Sequence, residues 1–193
     1  MSHPRLDEVE RVARATVTTL LSAGIRSCLV GGMACSIYGN SRVPNDVDIV
    51  CLTDKHTQEE LKGILVANDI NFYTIASKDP LATYRVLWYR LGFRRSCKVD
   101  VLLPGVMNIP PVPRRGWTIA GPTSFILGEK QHVDVRDIGE LLDLAVEKYD
   151  VNVKRDGKSL PESFLRAAVT RMKAYVKSFP NSAEHWRDIG FHV

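Results

Sequence analysis

The segment from Asp46 to Leu52 constrains the fold more than any other part of the sequence. Its residues alternate between acidic and apolar at first and then become wholly apolar. This pattern is typical of a β-strand that enters a buried core while its first residues stay exposed. Because successive side chains point to opposite faces of a strand, Asp46 and Asp48 are predicted to share one face.

Helical and strand-like patterns alternate around this segment. Apolar periodicity predicts a helix over 6–23, and a strand over 27–30 is predicted to end at the Gly31-Gly32 turn before a short helix over 33–38. Thr57 is predicted to cap a helix that ends near residue 68. Further strands are predicted over 71–76, 84–91 and 98–103, with a turn over 92–95, and further helices over 123–131, 135–149 and 161–179. These elements predict an α/β (α+β) fold with a mixed twisted sheet flanked by helices.

Prolines and glycines interrupt the regular patterns between Pro104 and Pro122, notably at Pro110-Pro111 and Pro113. This stretch is predicted to be the joint between two parts of the chain. We therefore expect a core over 1–104, a connecting loop over 105–122 and a helical C-terminal portion over 123–193 that packs on the core.

Composition narrows the class of protein. Apolar residues make up 45% of the 193 residues and charged residues 25%, as in ordinary soluble globular proteins. The formal net charge of +4 is a mild excess that decides nothing alone. No apolar stretch is long enough for a signal peptide or a membrane span, and the four cysteines form no CxxC pair. We expect a cytoplasmic protein in a reducing compartment, with no membrane partner and no zinc site.

A third carboxylate, Asp100, stands in another alternating segment that begins at Lys98. If the two strands are adjacent, Asp46, Asp48 and Asp100 lie together, and such close carboxylates need a cation between them. Oxygen ligands at this density suit Mg²⁺ or Mn²⁺, and two ions about 4 Å apart would serve an in-line displacement at phosphorus. The Gly31-Gly32 turn before a helix supplies backbone N–H groups that attract phosphate oxygens.

Two motifs together resemble the DNA polymerase beta-like nucleotidyltransferase superfamily. Val30-Gly31-Gly32 is followed after thirteen residues by Asp46-Val47-Asp48-Ile49, which is similar to the signature of that superfamily. The resemblance implies that the turn contacts the phosphates of a nucleoside triphosphate, and that Asp46, Asp48 and Asp100 are catalytic residues that bind metal. Many members have serine where this chain has Gly32, which removes one hydroxyl contact.

Further residues extend the resemblance to the minimal transferases of the antibiotic-modifying and toxin-antitoxin type. Arg42 precedes the aspartates, and Lys130 is followed by a run from Arg136 to Leu141. The resemblance implies that Lys130 contacts the triphosphate and that Asp137, a weaker candidate, assists. A lysine late in a helix and an acid early in one are also favourable without any function. Arg42 fits a nucleotide or acceptor contact as well as a structural pairing with an aspartate.

The resulting prediction is a metal-dependent nucleotidyltransferase. It would transfer a nucleoside monophosphate from an NTP to an acceptor hydroxyl on a small molecule, a transfer RNA or a protein, with release of pyrophosphate. One alternative is a catalytically inactive nucleotide-binding module. Another is an RNA-binding protein that uses basic turns, namely Arg94, Arg95 and Lys98 with Arg114 and Arg115.

Overall fold

The computed structural model describes residues 3–79, 81–105 and 131–193, and the first part of the chain is built on a mixed sheet of five strands. The strands are β1 (Ser27–Val30), β2 (Asp46–Cys51), β3 (Phe72–Ala76), β4 (Arg85–Gly92) and β5 (Arg95–Leu102). Their order in the sheet is β1-β2-β5-β4-β3. β2 and β5 run parallel, whereas the other three neighbouring pairs are antiparallel. The structure thus confirms the predicted mixed sheet.

Three helices accompany this sheet, and their bounds are α1 (Leu6–Ser22), α2 (Gly31–Tyr38) and α3 (Gln58–Asn68). α2 begins two residues earlier than predicted, at the first glycine of the turn. Thr57 caps α3 as predicted, because its side chain accepts a hydrogen bond from the backbone N–H of Glu60. Apolar residues of α1, α3 and one face of the sheet form a shared core, which includes Val9, Val12, Ile49, Leu61, Leu65, Leu87 and Val99.

The chain divides into two compact units. The described residues of the first lie within Met1–Ile37 and Ser41–Trp117, and those of the second within Tyr38–Asn40 and Thr118–Val193. The second unit is helical, with α4 (Gln131–Glu147), α5 (Val153–Asp156), α6 (Glu162–Ser178) and α7 (Ala183–Asp188). Its own core contains Ile138, Leu142, Met172, Tyr175, Trp186 and Ile189.

The predicted helices over 135–149 and 161–179 correspond to α4 and α6. The predicted helix over 123–131 lies outside the described residues except for Gln131, where α4 begins. The predicted loop over 105–122 lies outside them except for residue 105, so the proposed joint stays a prediction. None of the helices within the described ranges combines the length and the apolar character needed to cross a membrane.

Candidate active site

The order of the strands brings the three predicted carboxylates to one place. β5 lies directly beside β2, and the register pairs Asp46 with Lys98 and Asp48 with Asp100. Val47 and Ile49, the alternate residues of β2, are completely buried in the core of the first unit. Asp46, Asp48 and Asp100 therefore lie half-buried on the opposite face, where the sheet is not filled by that core. The predicted adjacency of the two acidic strands is confirmed.

A lysine lies among these carboxylates. Nζ of Lys98 donates a hydrogen bond to Oδ2 of Asp100 at 2.7 Å, and the two side chains are 38% and 33% exposed. Burial alone would lower the pKa of Lys98, but the bond to Asp100 and the negative charges of Asp100, Asp46 and Asp48 raise it above its usual value. The ammonium group is therefore charged at neutral pH and acts as a counter-ion to the carboxylates.

Gly31 allows Asp48 to approach the backbone of the turn. Val30 pairs with Asp48 across β1 and β2, so the next residue, Gly31, lies beside the carboxylate. Gly31 has a φ of +62°, and a Cβ at this position would collide with Oδ2 of Asp48 and lie 3.2 Å from its Cγ. Both the backbone conformation and the lack of space require glycine.

Gly32 faces a different neighbour. A Cβ at Gly32 would lie 2.7 Å from Nη2 of Arg42 and 3.3 Å from Cβ of Pro44. The guanidinium group of Arg42 therefore fills the space that a side chain at residue 32 would need. A side chain at residue 32 would therefore displace the end of the flexible Arg42 side chain.

The donor set suits a divalent cation, although the carboxylates are not drawn together around one. Among residues 3–79, 81–105 and 131–193, no group of three or more Asp, Glu, His or Cys side chains is arranged as a metal-binding cluster. The positive charge of Lys98 nevertheless interacts with all three aspartates, so a cation on this face has carboxylate oxygens within electrostatic reach. Hard oxygen ligands of this kind fit Mg²⁺ or Mn²⁺.

Comparison with known proteins places this arrangement in a known fold. The structure is similar to the crystal structure of an antigenic nucleotidyltransferase-like protein from Paracoccidioides brasiliensis, with a TM-score of 0.62. The match covers 97% of this chain and 95% of that chain at 17% sequence identity. The chain has a nucleotidyltransferase fold. No protein-family model matches the sequence, and no curated protein matches it.

The roles of two further predicted site residues, Lys130 and Asp137, are not tested by the structure. Lys130 lies outside the described residues, and its contact with a triphosphate stays a prediction. Asp137 belongs to α4 in the second unit and is buried, with 6% of its surface exposed. Its backbone carbonyl accepts a hydrogen bond from Nδ2 of Asn40 at 3.4 Å. Its assisting role also stays untested.

Sequence reasoning missed Lys98 as a member of the site and assigned it to a basic turn instead. One signal was present, because Lys98 and Asp100 are two residues apart in a strand and therefore share a face. The position of Asp46 directly across from Lys98 follows only from the register of β2 and β5. The lysine could thus be placed beside Asp100 from the sequence, but not between the acidic strands.

Cysteine chemistry has no support at this sheet. None of the four cysteines forms a disulfide bond, and Cys51 and Cys97 are buried. Burial, with smaller effects of neighbouring negative groups, raises the pKa of each of these two thiols to about 12. Because the thiolate is the reactive form, neither thiol is a nucleophile at neutral pH.

Proposed function

We propose that this chain is a metal-dependent nucleotidyltransferase that transfers a nucleoside monophosphate from an NTP to an acceptor hydroxyl. The observation that supports it best is the placement of Asp46, Asp48 and Asp100 on one face of β2 and β5, with Asp48 against Gly31. Phosphoryl transfer needs ligands for a metal ion and a binding site for phosphate. The cluster of carboxylates suits the first, and the glycine turn at the start of a helix suits the second. The nucleotidyltransferase fold agrees with this proposal.

The phosphates of the NTP would bind at the start of α2. Helix N-termini offer backbone N–H groups and a positive dipole end, and the glycines let phosphate oxygens come close. Arg42, whose guanidinium group lies over Gly32, adds a positive charge at the same place. An arginine can bind two phosphate oxygens at once, which would orient the triphosphate as well as attract it.

The carboxylates Asp46, Asp48 and Asp100 would hold Mg²⁺ or Mn²⁺. When bound, the metal would supply charge stabilisation for the phosphates and activation of the attacking oxygen. Asp100 is the residue that we assign as the acceptor of the hydroxyl proton. The hydroxyl oxygen of the acceptor molecule forms a bond to the α-phosphorus of the NTP. The bond between that phosphorus and the oxygen that bridges to the β-phosphorus breaks, and pyrophosphate leaves with the electron pair of that bond.

The RNA-binding alternative is weakened by the contacts of the basic turn. Nη1 and Nη2 of Arg95 donate to the two carboxylate oxygens of Glu8, each at 2.7 Å. Lys98 is bonded to Asp100, as described above. Two of the three cations that sequence analysis assigned to this turn are thus engaged within the protein.

The other alternative, an inactive nucleotide-binding module, would retain metal-dependent nucleotide binding and lack transfer.

The first experiment is a calorimetric titration of each NTP in the presence of Mg²⁺, Mn²⁺ or EDTA. α-Labelled NTPs are then incubated with a cell extract that is separated afterwards into RNA, protein and small molecules. Label in one fraction identifies the acceptor class, and binding that EDTA abolishes supports the metal requirement. NTP binding that is insensitive to EDTA contradicts the proposed mechanism.

Asp46→Asn and Asp48→Asn should each reduce transfer by more than about 100-fold, because each removes a proposed metal ligand. The fold should survive, since neutralising one of several close carboxylates relieves repulsion. The measurement is the initial rate of label transfer, with circular dichroism as the test of folding. Asp7→Asn is a matched control, because Asp7 is a surface residue whose pair with Arg5 is exposed. Full activity in either site variant would show that the carboxylates are not catalytic.

A further inference from the structure

Lys98 lies beside the carboxylates that we propose as metal ligands. The register places it directly opposite Asp46, and its ammonium group bonds to Asp100 at 2.7 Å. On its other side the neighbouring residue is Trp88 of β4, which carries no charge. The carboxylates whose charges act on the lysine, Asp46, Asp48 and Asp100, lie on β2 and β5.

We propose that Lys98 is an internal counter-cation that competes with the divalent ion for Asp100, so that the ion binds only when the Lys98–Asp100 pair opens. This inference rests on the proposed function, because it concerns the same carboxylates. Lys98 would thus weaken the affinity of the site for the metal ion and stabilise the metal-free protein.

The competition follows from charge. Three close carboxylates repel one another, and the ammonium group relieves this repulsion in the absence of metal. Oδ2 of Asp100 already accepts a hydrogen bond from Lys98, so a divalent ion that binds through this oxygen displaces the lysine. Two cations on one carboxylate also repel each other, so each lowers the affinity of the site for the other.

The buried Lys62 shows, by contrast, a lysine in a structural ion pair in the same unit. Nζ of Lys62 donates to Glu59 at 2.6 Å and to the backbone carbonyl of Arg85 at 2.6 Å, which ties α3 to β4. Lys98 instead bonds to a carboxylate in its own strand, two residues away. That bond joins no two elements, which fits a role in charge balance rather than in packing.

The test is a calorimetric titration of the full chain with MnCl₂. Lys98→Met should bind Mn²⁺ about fivefold more tightly than the wild type, which is the size expected from losing one partly exposed ion pair. Lys98→Arg keeps the charge and should bind Mn²⁺ as the wild type does. Lys78→Met, at an exposed position of the same unit, is the control for the loss of one positive charge.

Thermal unfolding gives the second readout. In EDTA the melting temperature of Lys98→Met should fall below that of the wild type, and Mn²⁺ should raise it more than it raises that of the wild type. Lys98→Gln repeats both measurements if the methionine variant does not fold. Mn²⁺ affinity that is unchanged or weaker in the neutral variants overturns the inference, including the case in which neither variant nor wild type binds Mn²⁺.

Asp48→Asn, titrated in parallel, separates this result from the proposed function. If Asp48→Asn abolishes Mn²⁺ binding and Lys98→Met does not strengthen it, only the role of Lys98 fails. If Mn²⁺ binds with the same affinity to the wild type and to Asp48→Asn, the ion is not held by the strand carboxylates, and both proposals fail.

Discussion

Asp48 lies against the α-carbon of Gly31, and this contact joins the acidic strand to the turn that would bind phosphate. The position of Asp48 beside the turn depends on two properties of Gly31, its left-handed backbone and its lack of a side chain. A substitution at Gly31 therefore changes the position of a proposed metal ligand as well as the turn. The residue is a sensitive point for testing whether turn and carboxylate act together.

Gly31→Ala should destabilise the protein by at least about 1–2 kcal/mol, the usual cost of an L-residue in the left-handed region, and should displace Asp48. We expect Mn²⁺ affinity and transfer to fall together. Chemical denaturation measures the first effect and calorimetry the second. Gly63→Ala is the control, since Gly63 lies on the exposed side of α3 with nothing near a new Cβ, and alanine there should stabilise by roughly 0.5–1 kcal/mol. Unchanged Mn²⁺ affinity in Gly31→Ala would separate the turn from the metal site.

At the residue scale, the sequence predicts that Asp46, Asp48 and Asp100 share one face of the sheet, but not that Lys98 lies beside them. Asp46, Asp48 and Asp100 are recognisable because they alternate with apolar residues in two strand-like segments. Lys98 follows Arg94 and Arg95 closely, so along the chain it belongs to a basic stretch. The structure distinguishes these residues by their partners, because Arg95 forms an ion pair with Glu8 and Lys98 forms one with Asp100.

The elements themselves were predictable where local chemistry marks their ends. Thr57 and Glu60 form a capping box at the start of α3, in which the Thr57 N–H also donates to Oε2 of Glu60 at 2.7 Å. β5 was less predictable, since it begins at Arg95 rather than at residue 98. The ladder with β4 continues to the Gly92–Arg95 pair, which leaves a short hairpin loop with Arg94 at a φ of +53°. A left-handed arginine has no clear signature in sequence.

Thr57→Ala should destabilise the protein by about 1 kcal/mol, because α3 loses the acceptor for the N–H of Glu60. The midpoint of urea unfolding, with its slope held fixed, measures this change. Thr57→Ser retains the hydroxyl group and should remain close to the wild type. A loss of equal size in both variants would mean that packing of the threonine methyl group, and not capping, stabilises the start of the helix.

For the whole molecule, the sequence predicts the division into a sheet-containing part and a helical part, because the pattern changes from alternating to helical along the chain. Each unit also has its own core, the first around β2 and β5 and the second around Met172 and Trp186. The sequence does not predict the path of the segment that connects the two units. Prolines and glycines give a connecting segment no periodicity from which its path could be inferred.

Met172→Ala should destabilise the helical unit by about 2–5 kcal/mol, because Met172 is 2% exposed and its removal leaves a cavity in that core. Hydrogen exchange measured separately at the amides of α6 and β5 reports on each unit. Val169→Ala is the control on the same helix, since Val169 is 36% exposed and its change should stay within about 0.5 kcal/mol. Unaltered protection in α6 would contradict the assignment of Met172 to a packed core.

The central position of β5 has a consequence for how the protein is made. Among the strands of the described residues, β5 is the last to leave the ribosome, yet it lies between β2 and β4, which are both synthesised before it. A nascent chain that ends before residue 95 carries Asp46 and Asp48 without the neighbouring strand that supplies Lys98 and Asp100. The site is therefore completed by a late, long-range insertion, a slow kind of step in folding. Until it occurs, the edges of β2 and β4 that will pair with β5 are exposed to chaperones and to other chains.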